Sequence, residues 1–497
     1  MSGPTNTAVV IGGGLAGITA ALILAERNWQ VTLVETRPRL GGRATSYVRD
    51  GLTVDNGQHV FLRCCTAYRG LLDRLGAGPE TGLTVLQDRL DIPLRSATDG
   101  TEAVLRRTGA PAPLHLAGSL GRYGLLPLRD RTRLGGTALA LRLTDPADPA
   151  ADERGFGQFL RDHGQSPAAI SRLWSVISTA TLNIDPDQAS LALAAKVFRT
   201  GLLEHRDGAD LGYAAVPLGR IHDEMARTTL AAAGVTVLDG TKALPLADGR
   251  NRNRSEDQDQ GRRRGQATVT VVGRDGETQE LSADAVILAV PHDVAARLLP
   301  EPHSTAFAEL GHSPIINVHL RYDRKVLDRP FLATVDSPAQ WIFDRTESSR
   351  EGQDAVATGT GGANAGTANT DNQTNTKPTG QYLAVTVSAA DDYVDLPTAE
   401  LAVIFEAELK RVLPEARAAE LTDFFVTRER HATFRQARGT ARLRPGAHTA
   451  MPAIYLAGAW TATGWPDTME SAVRSGINAA HCALDAGDTS DETGAQT

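Results

Sequence analysis

The sequence predicts an α/β protein built on a parallel sheet, and three observations carry that expectation. Residues 8–25, AVVIGGGLAGITAALILA, contain no charged side chain and read as strand, glycine turn and helix. A second short strand, Gln30-Val31-Thr32-Leu33-Val34-Glu35, follows at once and completes a strand–helix–strand unit. Far downstream the grammar returns: Ile454 to Gly458 reads as a strand reaching a glycine, and Asp467-Thr468-Met469-Glu470 opens another helix. The first run nearly reaches the roughly 20 apolar residues of a membrane span. Gly12, Gly13, Gly14 and Gly17 stand where a spanning helix wants Leu or Ile, so a turn is expected there.

The elements follow in order. The first helix is expected over 18–27, the next over 66–76, ending at Gly76. Helical pieces are expected at 156–163 and 168–181, and a helix at 221–233 leads into a strand at 234–238. Further strands are expected at 268–272 and 285–290. Residues 249–266 and 348–380 lack apolar content and are expected to be disordered insertions, with a polar tail over 486–497.

The bulk properties set limits. A chain of 497 residues exceeds one compact core, so two or more domains are expected. A formal net charge of −8 argues against a general nucleic-acid binder. Three cysteines give no disulfide framework, and no Cys or His spacing suggests a metal site. No signal peptide and no spanning run is expected, which leaves a cytoplasmic protein, soluble or bound at a membrane surface.

The glycine turn carries the first chemistry. Gly12, Gly14 and Gly17, with Leu15 and Ala16 between them, fit G-x-G-x-x-G. Gly12 permits the tight turn, Gly14 lets a pyrophosphate approach the backbone, and Gly17 lets helix and strand pack closely. The helix N-terminus then offers unpaired N–H groups to phosphate. Glu35 ends the second strand about 20 residues on, where a carboxylate accepts from a ribose hydroxyl. Together these read as a Rossmann-like site for FAD or NAD rather than NADP. Arg39-Leu40-Gly41-Gly42-Arg43 adds a basic glycine loop behind the ribose position and tips the reading to FAD.

Asp55-Asn56-Gly57-Gln58-His59 is a polar cluster in apolar surroundings and suits a site beside a flavin ring. Asp467 is expected to cap the last helix, whose N-terminus favours negative charge.

VVIGGGLAGITAA, RLGGRATS, DNGQHVFLRCCTAYRGLLDRLG and YLAGAWTATGWPDTMESAVRSG together resemble the squalene-associated FAD-dependent desaturases, the hydroxysqualene dehydroxylases of bacterial hopanoid pathways. FGQFLRDHGQSPAAISRLWSVISTATLN, SPIINVHLRYDR and HATFRQARG extend the resemblance over nearly the whole chain. It implies the flavin amine oxidase/phytoene desaturase type of fold. An FAD-binding domain would be assembled from residues 1–90, 211–300 and 440–485, with a substrate domain from 91–210 and 301–439 inserted. Gly12, Gly14, Gly17, Glu35 and Arg43 would hold the ADP half of FAD, and Val237 would meet adenine through its backbone. Gly57, Gln58 and His59 would lie along the flavin, as would Thr468, Met469, Glu470 and Ala472. The family usually has Gly-Asp at the end of the last strand; Gly458-Ala459 stands here, and Ser471 stands where glycine is common.

The implied reaction is reductive removal of the hydroxyl of hydroxysqualene to give squalene, with hydride from reduced FAD. Departing hydroxide needs an acid. His59 is the first candidate, with Asp467 and Glu470 behind it, and the faces of Trp460 or Trp465 would meet an allylic cation. An isoprenoid lipid substrate implies an apolar tunnel and a membrane-facing mouth. Residues 114–133 are the candidate face, on the inner side of a bacterial plasma membrane, and enzymes of the squalene and hopanoid pathway are the candidate partners. Three rivals stay open on the sequence. One is a carotenoid desaturase or isomerase. Another is an amine oxidase, against which Thr468 argues, because an aromatic usually stands there. The last is a flavin-poor scaffold relative. The electron donor is not legible.

Overall fold

The computed structural model describes residues 5–246, 266–301, 305–349 and 380–494. The insertions expected at 249–266 and 348–380 lie outside the described residues except at their ends.

A five-stranded sheet forms the nucleotide half. Its order is Thr236–Asp239, Gln30–Glu35, Thr7–Ile11, Ala285–Leu288 and Ile454–Leu456, with every neighbour parallel. The strands are short and apolar because both faces are covered. On one face lie the first helix, Leu15–Glu26, and the final helix, Met469–Gly494, which share a core with Val10, Leu33 and Ile287. On the other face a three-stranded sheet buries Val269 and Val271 against Val9, Val34 and Leu288.

A seven-stranded sheet forms the second half. Its order is Leu421–Phe434, His312–Tyr322, Gln381–Ser388, Trp341–Asp344, Phe331–Val335, Asp91–Ser96 and Glu102–Arg106. Only Phe331–Val335 and Asp91–Ser96 pair in parallel. Helical segments of residues 114–203 share a core with Leu94, Phe331 and Phe343 at one end of this sheet.

The expected elements need modest corrections. The first helix starts at Leu15, three residues before the expected position, so the turn is shorter than it reads. The stretch 167–182 is one helical run whose middle, Ile170–Trp174, widens to a π-turn. The tail expected from residue 486 continues instead as backbone of the final helix through Gly494. Gly487 lies against the Trp29 ring, and that packing carries the helix past the expected end.

Candidate active site

The cradle for a nucleotide is built from two glycine loops placed back to back. Gly12 has φ +107°, a conformation that L side chains rarely adopt, and its N–H donates to Val34 O at 2.8 Å. A Cβ on Gly17 would stand 1.9 Å from Gly12 O, so helix and turn touch only because that atom is missing. Around Gly14 the situation reverses: a Cβ there would meet nothing nearer than Gly42 Cα at 3.9 Å. Gly41 N donates to Gly13 O at 2.8 Å, which locks the second loop behind the first. No side chain caps the helix that begins at Leu15, Ala16 and Gly17, so its N-terminus faces the opening by Gly14.

Glu35 is held in place by two backbone donors. One carboxylate oxygen accepts from Gly13 N at 2.7 Å and the other from Arg37 N at 2.8 Å. Each oxygen keeps a lone pair for a further donor. Val237 lies on the outer strand of the sheet, in register with Leu33 and beside the strand that ends in Glu35. Among the buried polar atoms that find no partner among the described residues are Arg39 Nε, Thr45 Oγ1 and Gln58 Nε2, all on the segments that carry the two glycine loops and the polar cluster. Unpartnered donors behind an open glycine loop are what a dinucleotide would satisfy, so the residues fit FAD.

The other end of the cradle comes from the last segment. Thr468, not Asp467, caps the final helix: Thr468 Oγ1 accepts from Ser471 N at 3.3 Å and its carbonyl from Ala472 N at 3.0 Å. Asp467 points elsewhere and accepts from Phe434 N at 2.8 Å. Burial raises its carboxyl above the ordinary carboxylate range, and Arg43 and Arg444 only partly offset this. Ser475 Oγ accepts from Gly458 N at 2.8 Å and donates to Ala472 O, joining strand end to helix. The Ala459 carbonyl accepts from Ser471 Oγ at 3.0 Å and from Arg444 at 3.1 Å. Met469 is partly buried against the core of the nucleotide half.

Three expected catalytic roles need correction. His59 Nδ1 lies 2.9 Å from Gly57 O, and a carbonyl only accepts, so Nδ1 carries the hydrogen. Burial lowers the ring's pKa below its ordinary value. Nε2 is therefore an acceptor at neutral pH and not the acid. Glu470 is 1% exposed and fully engaged: it accepts from Ala67 N, Tyr68 N and Arg474 Nε. It caps the helix Thr66–Arg74 across 402 residues of sequence and is a tie between helices rather than a proton donor. Trp460 is a core residue whose indole N–H donates to Val290 O at 2.8 Å, and Trp465 already carries the cations of Lys196 and Arg474 on its ring.

Residues that sequence reading missed complete the site. Arg345 donates to Asp55 Oδ2 at 2.7 Å in a buried ion pair, and Asp55 Oδ1 accepts from Ser46 Oγ and Leu218 N. The pair borders two small pockets, one lined also by Gln58, His59, Tyr213 and Phe343 and the other by Gln58 and Tyr382. Neither is the apolar tunnel expected from a hydrocarbon substrate, because each contains this ion pair. Asn317 donates to Asn56 O at 3.2 Å and holds the turn that presents Gly57. Arg444 donates to the carbonyls of Ala459, Trp460, Thr461 and Trp465 and shapes their loop. No short-range motif marks these residues; only Asp55, in its polar cluster, was in view.

A parallel nucleotide sheet, a double glycine cradle and a second sheet closing over it define a dinucleotide-dependent oxidoreductase. The chain belongs to the flavin containing amine oxidoreductase family, whose model matches residues 15–484. It is an FAD-dependent enzyme. It is 29% identical to the hydroxysqualene dehydroxylase of Rhodopseudomonas palustris, over 97% of this chain and 99% of that one. A zeta-carotene desaturase of Zea mays is 24% identical over 95% of this chain and 82% of its own. Among solved structures, putrescine oxidase bound to putrescine superposes with a TM-score of 0.64 at 18% identity, covering 97% of this chain and 99% of that one. This last likeness concerns the fold.

Proposed function

We propose that this enzyme reduces hydroxysqualene to squalene. The end-to-end likeness to the hydroxysqualene dehydroxylase of Rhodopseudomonas palustris carries the reading. The domain division at 1–90, 211–300 and 440–485 against 91–210 and 301–439 belongs to the same proposal. Gly12, Gly14, Leu15, Ala16, Gly17, Glu35, Arg43 and Val237 hold the ADP half of FAD. Gly57, Gln58, His59, Gly458, Ala459, Thr468, Met469 and Ala472 line the flavin half. Bound FAD, in its reduced form, supplies the hydride.

The protein's own residues handle the hydroxyl. His59, neutral with Nε2 left as an acceptor, takes the hydroxyl hydrogen bond and orients the C–O bond. Asp467, whose burial favours its protonated form, gives the proton that lets water leave instead of hydroxide. The sign follows: the acid is competent below its raised pKa, and turnover falls as pH rises through it. Asp467→Asn keeps the acceptor for Phe434 N but loses the proton. It is expected to lower squalene formation about 10²–10⁴-fold and to abolish the alkaline limb of the pH–rate profile. A variant with an unchanged profile removes Asp467 from this role.

The reaction is tested anaerobically. The protein is reduced, hydroxysqualene is added, and the flavin spectrum is recorded with the extracted lipid. Reappearance of oxidised flavin matched by squalene supports the reading. Flavin that stays reduced favours a desaturase, to be tried with oxidised enzyme and polyenes.

A bilayer substrate calls for a membrane face, and the helix Leu128–Leu143 offers one. Leu128, Leu139 and Leu143 are 70%, 55% and 76% exposed on one stripe, flanked by the exposed Arg129, Arg133 and Arg142. Leu114 is 64% exposed nearby, whereas Leu116, Tyr123, Leu125 and Leu126 are buried. The face therefore reaches beyond the expected 114–133 to residue 143. No helix among the described residues is long and apolar enough to cross a membrane. Leu139→Asp with Leu143→Asp is expected to weaken binding to anionic vesicles at least about tenfold in co-sedimentation. Unchanged binding excludes this face.

A further inference from the structure

Three side chains beside the cradle converge from two separate stretches of sequence. His292, Asp293 and His312 each offer one ligand atom, and these atoms all lie within 4.8 Å of one another. We propose that they form a binding site for a first-row divalent cation, with zinc the best fit. Two imidazole nitrogens and one carboxylate oxygen are the donor mix that borderline divalent cations prefer. A tetrahedral zinc with bonds of about 2.0–2.2 Å needs its donors about 3.3 Å apart. The three donors, now within 4.8 Å of one another, would draw together on the ion, with the fourth position left to water.

The surroundings favour an ion over a plain packing cluster. The His292 and His312 rings lie 4.4 Å apart, tilted by 33°. His312 Nδ1 is buried and makes no hydrogen bond, a cost that coordination removes. The His431 ring lies parallel to His312 at 4.0 Å and 9°, which braces the plane of the ring. Arg297 takes Asp293 Oδ2 at 3.1 Å, orienting the carboxylate while the other oxygen remains for an ion. Arg43 stands near enough for its charge to reach His292, and the Asp293 carboxylate is the charge that offsets it.

The position gives the ion a structural task. His292 and Asp293 open the short helix that follows strand Ala285–Leu288 of the parallel sheet. His312 opens the long strand His312–Tyr322 of the seven-stranded sheet, and His431 lies on its neighbour Leu421–Phe434. A cation here joins the two sheets at a point where the chain has just left one and entered the other.

The test uses flavin-loaded protein, dialysed against zinc and analysed for metal per chain, with thermal unfolding alongside. About one zinc per chain and a thermal midpoint that rises with zinc are expected. His292→Ala with His312→Ala, and separately Asp293→Asn, should bind zinc at least tenfold more weakly and lose the midpoint rise. Cys64→Ser with Cys65→Ser should bind it unchanged. Cobalt should give the visible ligand-field bands of a tetrahedral N/O site, and these should vanish in Asp293→Asn. The absence of stoichiometric zinc, or equal affinity in the histidine and aspartate variants, overturns the proposal. None of these readouts depends on the identity of the substrate.

Discussion

Gly17→Ala is expected to purify without bound flavin. The added Cβ would stand 1.9 Å from Gly12 O, well inside contact distance, so the helix Leu15–Glu26 must move away from the turn. That shift withdraws the N–H groups of its first turn from the place where a pyrophosphate is held. Most of the core under the helix is untouched, since Ile18, Leu22 and Leu24 still face the sheet. Flavin absorbance per chain should fall more than tenfold while the far-ultraviolet circular dichroism stays near that of the parent. A variant that retains stoichiometric FAD would show that the close approach of Gly17 to Gly12 is dispensable.

Arg345→Met is expected to cause the largest loss of stability. The guanidinium is the partner of Asp55 Oδ2 and also donates to Ala214 O at 2.9 Å. Both side chains of the ion pair are at most 10% exposed. Removing one member leaves a buried carboxylate facing an apolar group, a change that costs about 3–5 kcal/mol. Asp55 Oδ1 keeps Ser46 and Leu218, so the damage centres on the cavities beside Gln58 and His59. Urea unfolding followed by circular dichroism measures the loss. The double variant Arg345→Met with Asp55→Leu should recover part of it, because no lone charge remains. A single variant as stable as the parent would mean that the pair is solvated in solution.

The cradle was legible because its chemistry is local. Glycine spacing over 12–17, a carboxylate at 35 and a second glycine pair at 41–42 fall within one short stretch, where each residue type has one physical use. The parallel pairing of the first two strands followed from the strand–helix–strand unit that opens the chain. What stayed hidden depends on contacts between distant positions. Asp55 stood out as polar among apolar neighbours, yet nothing near it names Arg345, 290 residues away. Glu470 looked like an acid beside a flavin because its partners, Ala67 and Tyr68, lie at the other end of the chain. His59 was placed in the right turn, but its tautomer is set by the Gly57 carbonyl, a backbone atom that no side-chain pattern reveals. His292 and His312 are 20 positions apart, too far for a ligand spacing and close only because a helix ends and a strand begins between them.

The parallel sheet also dictates an order of events during synthesis. Strand Thr7–Ile11 emerges first, yet its partner Ala285–Leu288 is made more than 270 residues later, and Ile454–Leu456 and the final helix later still. The apolar faces of the first strand and helix must therefore wait, exposed or shielded by other proteins, until those later partners have been made. A nascent chain stalled before residue 454 would hold most of the cradle's named contacts and none of the helix that covers it.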